Sequence, residues 1–230
     1  MKNKINPINN DTPQEIFCFH IVKLSLLQSI LRLLFPLHKT NIVGLNHSET
    51  FYTMELGTSI FNISRYNFRK LAIFTWWESE EALKNFLQNS PHVSSPKAWY
   101  IKIRPYRKWG DIKEISKAKI FQKQQRQNQP VVAITIARLR LTQAFRFIKW
   151  GKPVEKQVRD HNGQTLALAA MRPFNTFCTF SIWKSEKDMI GMVQGLNEKV
   201  DGLEHKKAME ERNRKPFHYE FTTLRLTPVD

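Results

Sequence analysis

Two stretches of this chain are versions of one another. Phe68 to Leu87 (FRKLAIFTWWESEEALKNFL) aligns without gaps on Phe174 to Val193 (FNTFCTFSIWKSEKDMIGMV). Phe, Phe, Trp, Ser and Glu recur in phase, and Thr75 stands against Ser181. Each copy reads as an apolar strand ending in Trp, followed by a Ser that opens a helix. Upstream, Lys23 to Phe35 (KLSLLQSILRLLF) shadows Arg138 to Trp150 (RLRLTQAFRFIKW), with Leu and Gln in register. Internal repetition of this kind restricts the fold to two copies of one supersecondary unit.

The order of elements within a copy follows from its periodicities. In the first copy, Phe17–Leu24 is a strand, and the Leu/Ile pattern to Phe35 is a helix stopped by Pro36. Strands at Thr50–Leu56 and Phe68–Trp76 follow, then a helix from the Ser79 cap to Leu87, then a strand at Ala98–Ile103. That is β-α-β-β-α-β, the split arrangement of a ferredoxin-like unit. The second copy repeats it with strands at 131–139, 165–171, 174–183 and 217–226. Its helices fall at 142–150 and from Ser185 to about Asn213. These readings divide the chain into a polar tail (1–15), a first repeat (16–112), a basic, Gln-rich linker (113–129) and a second repeat (130–230). Matched positions lie 115 apart in the first strand and helix but 106 apart in the third strand, so the first copy carries about nine extra residues, placed around Thr58–Asn67.

The strands also say how the copies meet. An antiparallel sheet with one wet face alternates apolar and polar residues. Phe17-Cys18-Phe19, Leu71-Ala72-Ile73-Phe74 and Phe177-Cys178 are apolar on both faces. Helices cover one face, and the sheet of the other copy is the simplest cover for the second. The expected fold is α+β: tandem ferredoxin-like repeats packed sheet to sheet as a dimeric α+β-barrel within one chain.

Composition narrows the function. The net charge of +16 favours anionic partners, and part of it is concentrated: Lys97–Arg126 holds ten Lys or Arg against only Asp111 and Glu114. Cys18 and Cys178 form neither a disulfide framework nor a Cys-x-x-Cys motif and sit in apolar runs as small hydrophobes. The N-terminal residues lack the apolar core of a signal peptide, and no apolar run reaches the roughly 18 residues of a membrane span. The expectation is a cytoplasmic, thiol-reduced protein. Gly-x-Gly-x-x-Gly, Walker, Gly-x-Ser-x-Gly and His-Glu-x-x-His motifs are absent, which removes the nucleotide, hydrolase and zinc-protease mechanisms those motifs carry.

ETFYTMELGTS (49–59), LAIFTWWESEEAL, TFSIWKSEKDM and GLEHKKAMEERNRKPFHYEFTTLRL, in that order, make the chain from about residue 16 to 226 resemble the spheroidene monooxygenase family of acyclic carotenoid ketolases. TFSIW and the His-containing stretch after it also resemble antibiotic-biosynthesis and haem-degrading monooxygenases. The resemblance implies haem as cofactor, with His205 as the axial metal ligand and Lys206, Lys207 and Arg212 as partners for its propionates. It also implies an apolar small-molecule substrate such as a carotenoid, held in a pocket within the barrel, and a separate electron-donating reductase.

Other readings stay open beside these. His205 is either a ligand or a solvent-facing imidazole among charged neighbours, because Asp201-Gly202 breaks the helix and hides its phase. The protein is a monooxygenase or a non-enzymatic carrier of haem or another apolar ligand. His20 belongs to the core or lines the barrel, and His92 is not the repeat counterpart of His205. Trp77 and Trp183 anchor helices onto sheets. Trp99, Tyr100, Tyr106 and Trp109 alternate with Lys102, Arg104, Arg107 and Lys108, which could serve nucleic acid but also suits an ordinary strand; nucleic acid is the weaker reading. The amphipathic stretch Leu24–Phe35 is expected to pack on the core, with peripheral contact at an inner membrane surface as its alternative. A second copy within the chain leaves monomer and homodimer both open.

Overall fold

The computed structural model describes residues 14–90, 98–121, 128–173, 175–196 and 203–229. The first repeat comprises β1 (Ile16–Lys23), α1 (Leu26–Leu34), β2 (Leu45–Met54), β3 (Tyr66–Trp77), α2 (Glu80–Asn89) and β4 (Ala98–Asp111). The second comprises β5 (Val131–Leu139), α3 (Ala144–Asp160), β6 (Gln164–Arg172), β7 (Thr176–Trp183), α4 (Glu186–Gln194), α5 (Glu204–Arg214) and β8 (His218–Val229). All eight strands close into one antiparallel barrel in the order β1-β3-β2-β6-β7-β5-β8-β4. Each repeat supplies four strands, and the repeats join at a short β2–β6 seam and a long β4–β8 seam.

The register reproduces the repeat residue by residue. Ile16 pairs with Trp77 and Val131 with Trp183, which confirms the offsets of 115 and 106. Trp77 Nε1 donates to Thr75 Oγ1 at 2.8 Å and Trp183 Nε1 to Ser181 Oγ at 2.8 Å. Each indole is thus fixed by the hydroxyl two residues before it. Ser79 and Ser185 cap α2 and α4 in the same way. Gly44 and Gly163 complete the parallel: a Cβ there would lie 2.4 Å from Ala82 Cβ and 2.5 Å from Asp188 Cβ, so each strand entry passes tight against a helix start. Leu45 and Gln164 pair with the two Trp residues, an offset of 119. The nine-residue difference between the copies is therefore the balance of two changes. The first copy has thirteen extra residues between β2 and β3, and the second has four extra before β6, where α3 is long.

Strand alternation separates two apolar regions. Phe17, Phe19, Phe51, Phe74, Ile103, Ile134, Ile136, Phe180 and Leu224 belong to one cluster that fills the barrel, with Phe19 and Phe180 stacked at 4.0 Å. Ile16, Cys18, Trp77 and Leu83 pack on the helix side, and Val131, Trp183, Met189 and Met192 do so in the second repeat. Among the described residues the barrel interior is occupied by this apolar cluster. His20 points to the helix side, where it meets Thr75 Oγ1 at 3.4 Å and the Tyr100 ring; it does not line the barrel.

Part of the expected linker belongs to this core. A 3-10 turn at Lys113–Ile115 brings Ile112, Ile115 and Ala118 into the barrel cluster. Residues 122–127 of that segment, most of the polar tail and His92 lie outside the described residues. The first-copy insertion, residues 55–65, is clamped onto α3: Arg65 makes a bidentate pair with Glu155 at 2.5 and 2.9 Å and donates to the Glu55 and Thr58 carbonyls.

Candidate functional site

Among the described residues, the helical region after Ser185 holds two helices. Gly195, at φ +67°, ends α4, and α5 begins at Glu204; Asp201 and Gly202 lie outside the described residues. Gln157 of α3 ties the three helices together. Its side chain donates to the Met192 carbonyl of α4 at 3.1 Å and accepts the His205 backbone N–H at 2.9 Å. This bond stands in for a side-chain cap, which α5 lacks.

His205 is half-buried at the start of α5. Burial lowers its pKa, and the Val193 carbonyl beside the ring opposes that shift. Among the described residues its Nδ1 is out of solvent and has no hydrogen-bond partner. An imidazole nitrogen without a hydrogen-bond partner is one that a metal ion can take as a ligand.

The other expected residues do not gather around it. Lys206 is exposed, and Lys207 pairs with Glu204 at 2.8 Å. Arg212 lies two turns from His205 along α5, about 10 Å by helical rise. Its guanidinium stacks 3.8 Å above the Phe221 ring. His218 stacks on the same ring at 5.1 Å, and burial, helped by the Arg212 charge, pushes its pKa down to about 4. These side chains line a groove of about 310 Å³ with Tyr219 and Pro216. A second groove, of about 420 Å³, lies in the first repeat between α2 and the 37–43 segment.

Haem can be judged against these residues. The unpartnered Nδ1 of His205 is a donor of the kind haem iron takes. His205 lines neither of these two grooves. Among the described residues no group of three or more His, Cys, Asp or Glu side chains is arranged to hold a metal ion.

A buried charge network, which the sequence did not announce, closes one end of the barrel. Glu49, 1% exposed, meets Arg172 at 2.5 Å, Arg138 at 3.1 Å and His47 at 3.3 Å. Arg138 also binds Glu114 at 2.8 Å and Glu220. Burial pushes the Glu49 carboxyl up, but the His47 hydrogen bond and the Arg172 and Arg138 charges outweigh it and hold it below the usual carboxylate range. Its carboxylate joins the two repeats. The signal in the sequence was Glu49 itself, a lone acid in a strand after 33 residues (16–48) without Asp or Glu.

The basic stretch of β4 is engaged too. Lys102 and Arg104 reach Glu80, Tyr106 donates to Glu186, and Arg107 and Arg225 both lie over Trp109. Burial raises both thiols, Cys18 and Cys178, far above the usual range, and they pack as small hydrophobes.

The sequence matches no family model and no curated protein. Solved structures share the architecture. Aldoxime dehydratase OxdRE, solved with butyraldoxime, is 9% identical over 96% of this chain and 81% of its own, with a TM-score of 0.56. A ferredoxin-fold protein from Listeria monocytogenes related to antibiotic-biosynthesis monooxygenases is 12% identical over 97% and 99%, TM-score 0.34. The haem-degrading enzyme LmHde from the same organism is 14% identical over 92% and 99%, TM-score 0.29. At 9% identity the similarity to aldoxime dehydratase is one of fold alone, and the α+β barrel is here closed within a single chain.

Proposed function

We propose that this chain is a haem-binding protein of monooxygenase type acting on a lipophilic substrate, with His205 as the iron ligand. The observation that carries the reading is His205 Nδ1, out of solvent and without a hydrogen-bond partner among the described residues, on a ring whose pKa burial lowers. The resemblance of the 49–59 and 202–226 segments to carotenoid ketolases supports the same chemistry. Bound haem would supply dioxygen activation, with electrons from a separate reductase. The protein's part is to hold the imidazole: Gln157 positions the start of α5 against α3 and α4. Arg212, stacked on Phe221, is the cation available to a carboxylate that reaches the α5–β8 corner.

The test is absorbance titration of the purified chain with haemin, alongside His205→Ala. A Soret band that saturates at one equivalent and is lost or shifted in the variant is expected; an unchanged band in His205→Ala removes the assignment. Product analysis of the reduced, haem-loaded protein exposed to oxygen with an acyclic carotenoid separates an oxygenase from a carrier, which would give no oxygenated product.

A further inference from the structure

Helix α1 presents its apolar side outward. On a 100° step, Leu26, Ile30, Leu34, Leu27, Leu31 and Phe35 share one half of the helix, and Ser29 and Leu33 lie on the other. The half that faces the sheet buries Ser29 completely and Leu33 in part. The outer half leaves Leu27 68%, Leu34 66% and Phe35 71% exposed, with Leu26, Ile30 and Leu31 about half exposed. The expected packing of this face on the core is not what forms. The helix is nonetheless well ended: Ser25 and Gln28 form a reciprocal capping box, and the backbone N–H of Leu24 donates to the Arg69 carbonyl at 2.9 Å. Six large apolar side chains on one outward face form a patch of the kind that marks an interaction surface.

Charge selects the partner. No Asp or Glu occurs from residue 16 to 48, while Lys23, Arg32 and Lys39 do, and exposed Arg69 and Lys70 of β3 adjoin the start of the helix. A second copy docked through this face would set those cations against their own images across an isologous interface, on a chain of net charge +16. Residues 1–13 contain only three large apolar side chains, Met1, Ile5 and Ile8, too few to cover six. No helix of the described residues is long and apolar enough to cross a membrane. A short amphipathic helix with a broad apolar face and cationic flanks matches a surface that is apolar within and anionic at its boundary.

We propose that α1 docks this protein onto an anionic lipid bilayer, lying in the plane of the interface with Leu27, Leu31, Leu34 and Phe35 among the acyl chains and Lys23, Lys39, Arg69 and Lys70 at the headgroups. The inference does not depend on haem binding.

Co-sedimentation of the full chain with phosphatidylcholine vesicles, with and without phosphatidylglycerol, tests it. Binding to the anionic vesicles is expected. Leu27→Gln with Leu34→Gln should weaken it roughly 100-fold, and Lys23→Gln with Lys39→Gln about tenfold, with high salt acting like the charge variant. Both Leu positions are exposed, so the circular dichroism spectrum and melting temperature should stay unchanged; Phe35→Ser is a second variant of the same face. Failure of the wild type to sediment with anionic vesicles overturns the proposal, as does wild-type binding by the Leu variants. A wild-type dimer that Leu27→Gln/Leu34→Gln converts to monomer overturns it in favour of a second copy.

Discussion

Removing the carboxylate of Glu155 should destabilise the whole barrel, because this residue neutralises a buried guanidinium from the other repeat. Arg65 is 3% exposed. Its Nη1 donates to Glu55 O at 3.1 Å, Thr58 O at 2.6 Å and Glu155 Oε2 at 2.9 Å, and its Nη2 to Glu155 Oε1 at 2.5 Å. Glu155 Oε2 also accepts the Gly57 N–H at 3.1 Å. In Glu155→Ala both charge-assisted bonds go, the Gly57 donor is orphaned, and Arg65 keeps two carbonyls and no counter-charge. Breaking a buried pair from one side costs about 3–5 kcal/mol. The 55–65 segment can lift away from α3 and hydrate Arg65, which sets the expectation at the lower end, about 3 kcal/mol. For a chain of this size that is a fall in melting temperature of roughly 6–12 °C. Urea unfolding followed by circular dichroism reads the free energy directly. Replacing both partners, Arg65→Met with Glu155→Leu, should recover most of the loss, since apolar isosteres leave no charge to solvate. A loss below about 1 kcal/mol for Glu155→Ala would show that the contact behaves as a solvated surface pair, and the clamp between repeats would have to be abandoned.

Two further outcomes follow from the packing. Burial pushes His20 from 6.5 down to about 4, so its folded pKa lies below its unfolded one. Its stabilising share is complete above pH 6.5 and is lost as pH falls towards 4, where it amounts to about 3 kcal/mol. Urea midpoints across that window should fall with pH in the wild type and fall less in His20→Gln; equal slopes would rule out His20 as the titrating group. Thr75→Val and Ser181→Ala each leave a buried indole N–H without its acceptor, at about 1–3 kcal/mol apiece. Thr75 should cost more, since it is fully buried and also donates to the Cys18 carbonyl at 3.1 Å. A neutral result at both sites would remove the shared Trp anchor as a stabilising element.

Much of this molecule is readable from residues that obey a period. The duplication, the βαββαβ order, the Ser caps of α2 and α4 and the need for sheet-to-sheet cover all follow from local patterns, and strand register returns the offsets between the copies. The candidate site was legible only as a residue type in a helix. His205 could be named, but the seat of its backbone is set by Gln157, 48 residues away, which also binds Met192 of α4. Arg212 sits on the same helix, yet Phe221 of β8 takes its guanidinium. Ile115 and Ala118 fall in a basic, polar stretch and nonetheless enter the barrel cluster.

Helix α1 shows where the division lies. Its periodicity fixes that it is a helix and which half of it is apolar, because those depend on residues three and four apart. Periodicity carries no information on which half meets the sheet. That was decided by the chain path from β1 into β2 and by the close approach over β3, which admit Ser29 and Leu33 and leave the Leu and Phe side chains in solvent. The sequence alone determined two like units with strands apolar on both faces. Only the tertiary structure decided that they close into one filled barrel, what His205 and Arg212 touch, and that the most apolar helix faces outward. Those outcomes rest on contacts between residues far apart in the chain, which no local pattern encodes.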